Sequence, residues 1–436
     1  MKLLIRGGRV IDPAQELDVA ADVLVEDGKI AAVGAPVGGV GGGSDPGDAT
    51  IIEARGLVVS PGLIDMHVHL REPGREDEET IASGTRAAVA GGFTAVVSMP
   101  NTEPVTEGEE GVRFVLAKAR EAEAARVHPV AAVTRGLMGE MLAEIGSAIH
   151  AGAVAVSDDG KPVANSGLMR RALEYTRMLG KPVISHSEDP ALTGKGVMNE
   201  GRISTLLGLG GIPKESEEIA VGRDISLAGL TSGQLHIAHI STARSLELVL
   251  EAKRLGLKVT CEATPHHFTL TDEAVRTYDT NTKMSPPLRT AHDVGALRRG
   301  LKSGLVDAVA SDHAPHALEE KDQEFDAAPF GIVGLETSLG LALTELHHKS
   351  GLPLADLVRL MSTNPARILG LPAGTLKVGA PADITIFDPD HQWTVDAARF
   401  LSRSRNTPFS GWQLRGKAVT VIVGGRLLMR DGEMLS

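Results

Sequence analysis

From Pro61 onward, short runs of Val, Ile, Leu and Ala recur eight times along the chain, at about residues 62–69, 93–99, 127–133, 153–157, 182–186, 235–239, 257–263 and 306–311. Runs that are apolar throughout, without polar alternation, fit strands buried on both faces of a parallel sheet. Between them lie helix-like stretches, among them Glu78–Gly91, Glu107–Ala125, Ser166–Leu179, Ser216–Leu230, Ala243–Leu255 and Ala291–Gly304. Eight strands alternating with helices predict an α/β fold, a (β/α)8 TIM-like barrel. The barrel segment, residues 59–370, exceeds the typical ~250 residues and leaves room for insertions at the active-site end.

The flanks have β character. In residues 1–58, LLIRGGRVID and ADVLVEDGKIAAVG are hairpin-like, with Asp27-Gly28 as a favoured turn pair. In residues 371–436, GTLKVGAPADITIFDPD and KAVTVIVGGRLLMRDGEML are similar. Two β segments at opposite ends of a barrel predict one composite β-sandwich domain built from both. The glycine-rich stretch at 37–48 predicts a loop, and its glycines precede no helix of the phosphate-binding type.

Composition narrows the function classes. With a net charge of −12 over 436 residues, a nucleic-acid or anionic-membrane surface is not expected, since either would need a basic patch. Cys261 is the only cysteine, so no intrachain disulfide can form, which suits a reducing cytoplasm. It lies in the strand-like LKVTCEAT and fits a small core residue better than a nucleophile. The start MKLLIRGGRV has no apolar run before Arg6, so no signal peptide is expected, and no uncharged run is long enough to span a bilayer.

The chemistry sits where the apolar runs end. His67 and His69, Asp159, His186, His239 and Asp312 each terminate or closely follow a run, and a barrel of this type places its chemistry at the C-terminal strand ends. Within a strand, His67-Val68-His69 sends both imidazoles to one side, where they can grip one ion. His186 and His239, ending the fifth and sixth runs, can grip a second. Two cations repel, so an anionic group must bridge them, and the Asp158-Asp159 pair offers two candidates that spacing does not separate. Asp312, ending the eighth run, completes the ligand set of the first ion. Alone, an H-x-H pair or a loop carboxylate means little; six such groups at one end of one barrel point to a binuclear metal hydrolase. Imidazole with carboxylate suits zinc and also admits other divalent metals.

The motifs RGGRVIDP, PGLIDMHVHLREPG, MPNTEP, VSDDGKP, SHSED, HIST, KMSPPLR, SDHAPH, STNPARILGL and GAPADITIFD cover nearly the whole chain. Together they resemble the dihydroorotases of the long bacterial type, in the amidohydrolase superfamily. The resemblance implies two Zn2+ per subunit: His67, His69 and Asp312 on one, His186 and His239 on the other, and Asp159 bridging. Many relatives bridge with a carboxylated lysine; here the nearest lysine, Lys161, lies beyond the aspartates. It also implies that Asp312 is the catalytic base and acid, that Arg71 and Asn101 hold the substrate carboxylate, and that His69, His316 and the backbone of Phe330 and Gly331 contact substrate. Ser285 stands where the family usually carries the asparagine of KMNPPLR, and a hydroxyl offers fewer hydrogen bonds than an amide. The acidic loop 317–329 is a candidate lid. His266 and His267 are expected to pack or support rather than bind metal.

The implied activity is zinc-dependent, reversible cyclisation of N-carbamoyl-L-aspartate to L-dihydroorotate in pyrimidine biosynthesis, in the cytoplasm. The expected partner is this small-molecule substrate, with neither nucleic acid nor membrane. A homodimer or an aspartate transcarbamoylase complex is compatible with the resemblance. The competing readings are an allantoinase or dihydropyrimidinase and, from a different class, a catalytically silent scaffold.

Overall fold

The computed structural model describes residues 2–34 and 49–435; the loop expected at 37–48 lies outside the described residues. Eight parallel strands form one sheet in strict chain order: Leu63–Val68, Phe93–Ser98, Arg126–Ala131, Ala155–Val156, Val183–Ser185, Leu235–Ile237, Val259–Ala263 and Ala308–Val309. They are numbered here as barrel strands 1 to 8. Each falls on one of the eight apolar runs. The sheet curls until its ends meet, with Val68 bridging His313 and the His69 amide donating to the His313 carbonyl at 2.8 Å. Asp65, inside strand 1, also takes the Ser311 amide at 3.0 Å.

Strands 4 and 8 are only two residues long. The runs that predicted them continue, but the backbone leaves the ladder as it carries Asp159 and Asp312 inward.

Helices cover the outside, close to the expected spans: Glu109–Ala122, Ser166–Met178, Glu215–Thr231, Ala243–Arg254 and Ala291–Ser303. The first departs in an informative way. It was expected from Glu78 but runs Ile81–Gly91, started by Thr80, whose hydroxyl accepts from the Ser83 amide at 3.0 Å. Glu78 and Glu79, left outside it, are buried against the mouth of the barrel. A short insertion between strands 5 and 6 adds the parallel pair Met198–Asn199 and Gly211–Ile212 near the same mouth.

The terminal segments join in a single nine-stranded mixed sheet. Its seam is the antiparallel pairing of Val58–Pro61 with Ile384–Thr394, in register Ile384↔Pro61 to Phe387↔Val58. Asp12 strengthens the junction by accepting from the Thr375 hydroxyl (2.8 Å) and the Leu376 amide (2.6 Å). The sheet is fastened to the barrel by Arg126, paired with Asp383 at 2.9 Å, and by the Thr385 hydroxyl, which donates to the Gly92 carbonyl at 2.7 Å. Among the described residues no helix is long and apolar enough to cross a membrane.

Candidate metal centre and substrate cavity

All six candidate ligands converge at the C-terminal mouth of the barrel, each 6% exposed or less. The Asp159 carboxylate sits between the two histidine pairs. Its Oδ1 is 3.2 Å from His67 Nε2 and 3.5 Å from both His186 Nδ1 and His239 Nε2, while Oδ2 is 3.4 Å from His69 Nε2. Asp312 Oδ1 lies 3.2 Å from His69 Nε2 and 3.6 Å from His67 Nε2. Within these six, two sets of donor atoms lie close enough to share an ion: His67 with His69 and Asp312, and His67 with Asp159 and His239. His186 Nδ1 lies beside the second set, 3.0 Å from His239 Nε2. His239 (φ 30°), Asp312 (φ 50°) and Arg71 (φ 60°) all have left-handed backbone, a conformation that costs energy outside glycine and gathers at functional positions.

These groups fit a cation better than they fit one another. His67 Nε2 and Asp159 Oδ1 are buried, within 3.2 Å, and still make no directed hydrogen bond, as donor atoms do when they point at a common centre. Burial opposes charge on His67, His186, Asp159 and Asp312, yet attraction between imidazole and carboxylate prevails on these four. The carboxyl of Asp159 is held well below its ordinary range by His67, His186 and His239, and that of Asp312 by His69 and His67. The imidazole of His186 is raised to about 10 by Asp159 and Glu188. A divalent ion meets the same need for positive charge, and its binding would release those protons.

Geometry also separates the two adjacent aspartates. Asp158 Oδ1 accepts from the amides of Val133 (2.7 Å) and Thr134 (3.0 Å), and its Oδ2 takes the Thr134 hydroxyl. That carboxylate is spent on the loop after strand 3. Lys161 is exposed, whereas Asp159 is buried among the histidines.

A cavity of about 300 Å³ opens onto this cluster, at the small end of the range for ligand clefts. Its walls include His69, Arg71, Asn101, Ser285, Asp312, His316, Phe330 and Gly331, so the residues singled out for substrate binding line one cavity. A larger cavity of about 600 Å³ lies behind His316 and touches none of the six candidate ligands.

Family comparison agrees with this architecture. The Dihydro-orotase-like family model matches residues 56–245, and the Amidohydrolase family model matches 232–429. The dihydroorotase of Geobacter sp. (strain M21) is 54% identical over 99% of this chain and 100% of its own length. That of Pelotomaculum thermopropionicum is 56% identical over 99% of both. The chain belongs to the dihydroorotase family. Among solved structures, the L-hydantoinase (dihydropyrimidinase) of Arthrobacter aurescens superposes with a TM-score of 0.88 at 26% identity, covering 100% of this chain and 97% of the other. The dihydropyrimidinase of Brevibacillus agri superposes with a TM-score of 0.84 at 26% identity, covering 100% and 96%.

In this member of the dihydroorotase family the cavity wall is held by contacts that the sequence does not announce. Arg71 Nε lies 2.8 Å from Glu78 Oε2 and donates to the Pro315 carbonyl at 3.1 Å. The neighbours Glu72 and Glu76, the obvious local partners, instead take the backbone amides of Ile81 and Gly74. Asn101 Oδ1 faces His69 Nδ1 at 2.8 Å, which leaves its amide NH2 for the cavity. Ser285, in the position expected to be asparagine, donates to Glu188 Oε2 at 3.2 Å. His267 is held between Thr264 (2.7 Å) and the Pro286 carbonyl (2.8 Å), and neither it nor His266 lines the cavity.

Loop 317–329 carries the short helix Leu318–Lys321 and is tied down at several points. Arg75 pairs with Glu320 at 2.6 Å, and Lys283 Nζ donates to the Asp326 carbonyl at 3.0 Å. Lys321, 5% exposed, donates to the carbonyls of Pro329 (2.9 Å) and Gly331 (3.0 Å). Gly331 has φ 121°, and a Cβ there would lie 2.6 Å from that of Ala314, so only glycine fits.

Burial lowers the Lys321 ammonium to about 7, and the charge of Lys283 adds to the shift. A lysine whose folded value lies below its unfolded value of about 10.4 destabilises the fold where the unfolded chain binds the extra proton. That cost is absent above about pH 10, grows as pH falls towards 7, and is constant below it. Thermal melts of Lys321→Met should therefore lack a rise in stability between pH 7 and 10 that the unmodified protein shows. Equal slopes would mean that Lys321 titrates as a solvated lysine.

Proposed function

We infer that this chain is a dihydroorotase, a cyclic amide hydrolase that interconverts N-carbamoyl-L-aspartate and L-dihydroorotate. The observation that carries the reading is one cavity lined both by five of the six candidate ligands, with the sixth, His67, buried against Asp159, and by a part-buried arginine suited to a carboxylate. In this reading His67, His69 and Asp312 hold one ion, His186 and His239 a second, and Asp159 lies between them. The ligand set favours two zinc ions.

Bound there, the ions would supply a nucleophilic water near neutral pH and polarise the amide carbonyl that it attacks. Asp312, held ionised, takes a proton from that water and passes it to the departing ring nitrogen, so that the carbon–nitrogen bond breaks without releasing an amide anion. In the cyclising direction it takes the proton from the ureido nitrogen and delivers it to the departing hydroxyl, which leaves as water. Glu78 and the Pro315 carbonyl fix Arg71 through Nε, turning the rest of the guanidinium to the substrate carboxylate, with Asn101 beside it. His316, braced by Glu78 (3.1 Å) and the Phe330 carbonyl (2.8 Å), sets the wall against which the ring lies, with Gly331.

The same reading assigns residues 59–370 to the catalytic barrel, with 1–58 and 371–436 forming the accessory β-domain. It places the enzyme in the cytoplasm, as a homodimer or with aspartate transcarbamoylase, which light scattering with and without the transcarbamoylase would test. The decisive experiment is steady-state hydrolysis of L-dihydroorotate with metal content measured on the same sample. Turnover should vanish on chelation and return with zinc, and dihydrouracil and allantoin should be poor substrates. Preference for either of those would overturn the substrate assignment. Bound metal without any turnover would favour the silent scaffold.

A further inference from the structure

Directly beneath the metal centre, the barrel interior holds a charged chain for which the mechanism has no use. Glu262, on barrel strand 7, is 1% exposed, and no lysine or arginine lies within ion-pair distance among the described residues. Its Oε1 is 3.0 Å from His67 Nδ1 and its Oε2 is 3.1 Å from His236 Nε2, on strand 6. His236 Nδ1 continues the chain to the Thr260 hydroxyl at 2.8 Å. A carboxylate buried this deeply is costly unless its oxygens are fully used, and here both are used on imidazoles.

The four candidate histidines are supported unequally. His67 has a carboxylate behind it, and His69 has the neutral amide of Asn101. The Nε2 of His186 is 3.8 Å from Glu188, beyond a hydrogen bond, and His239 Nδ1 has no hydrogen-bond partner among the described residues. A carboxylate on Nδ1 keeps the proton there, leaves the Nε2 lone pair free, and makes that nitrogen a stronger donor.

We propose that Glu262 is a positioning residue of the metal centre: it fixes the tautomer and ring orientation of His67, with His236 holding its second oxygen, and so makes the His67–His69–Asp312 site the tighter of two unequal sites. The inference rests on the reading of His67 as a ligand. Glu262→Gln is the informative change. The amide can still accept from His67, and its NH2 can donate to His236 once His236 turns its own proton to Thr260, so the network survives without its charge.

The test is zinc titration of the chelator-stripped protein against a competing chromophoric chelator, alongside melting of the stripped protein. The unmodified chain should show two affinity classes. Glu262→Gln should weaken the tight class about 10- to 100-fold, leave the weak class in place, and melt within a few degrees of the parent before metal is added. His236→Asn should produce a smaller loss in the same class. Unchanged tight-class affinity in Glu262→Gln, or equal loss from both classes, would overturn the proposal. If Glu262→Gln does not fold, His236→Asn decides alone: unchanged affinity there counts against it. An unmodified chain that binds no zinc would instead remove the metal-centre reading on which the proposal stands.

Discussion

Asp312→Asn should abolish turnover in both directions, with kcat for hydrolysis and for cyclisation falling by about 10³-fold or more. General acid–base catalysis by a positioned group is worth about 10²–10⁴-fold, and here one carboxylate serves as both base and acid. Asparagine is nearly the same shape and can still face His69, so the cavity should persist, but it can neither take nor return a proton. Burial works against the ionised form of Asp312, while the hydrogen bond from His69 and the charges of His67 and His239 hold its carboxyl below the usual range. It is therefore ready as a base throughout the physiological range. Metal content must be measured on the variant, because Asp312 also belongs to one of the two donor sets. A variant that keeps its metal and more than a tenth of the parent turnover would remove Asp312 from the proton-transfer role.

Arg71→Met should act on binding. Hydrogen bonds to charged groups contribute roughly 1.5–3 kcal/mol, so KM for dihydroorotate should rise about 10- to 100-fold with a smaller change in kcat. Arg71 is part-buried, and its neighbours are not left unpaired by the substitution. Glu78 would keep Arg75 at 3.0 Å and His316 at 3.1 Å, and so would not be left as an unpaired buried charge. Dihydrouracil, which lacks the carboxylate, provides the control. Its kcat/KM should be far less affected, so that discrimination between the two substrates collapses. An unchanged KM for dihydroorotate would exclude Arg71 as the carboxylate partner.

The barrel was legible because its signal is local. Each strand is an uninterrupted apolar run, and the ligand candidates follow those runs at the end where such barrels place their chemistry. The departures occur where a residue's partner is distant in the chain. Glu78 continues an apparently helical stretch, yet it is withheld from the helix by Arg71 and by His316, 238 positions away. The seam of the accessory sheet behaves differently: its alternating strands were readable at both ends of the chain, but the register of Val58–Pro61 on Ile384–Thr394 belongs to the assembled fold.

Asp158 and Asp159 show where local reasoning stops. Strand parity would assign them opposite faces, but strand 4 ends at Val156, and beyond it the backbone no longer alternates. The choice falls to the amides of Val133 and Thr134, which capture Asp158 and leave Asp159 to the histidines. Glu262 is a sharper case. In VTCEAT it is one polar residue in a strand, and nothing near it in sequence marks it as the partner of His67, 195 positions earlier. By itself the sequence determined the eight-fold repeat and which residue types cluster at one mouth of the barrel, since strand burial and strand-end position are written in neighbouring side chains. Which carboxylate faces the histidines, what braces Arg71, and which ring nitrogen of His67 is free were decided only by the closed barrel, because each depends on a hydrogen bond between strands or loops that meet only when the sheet curls shut.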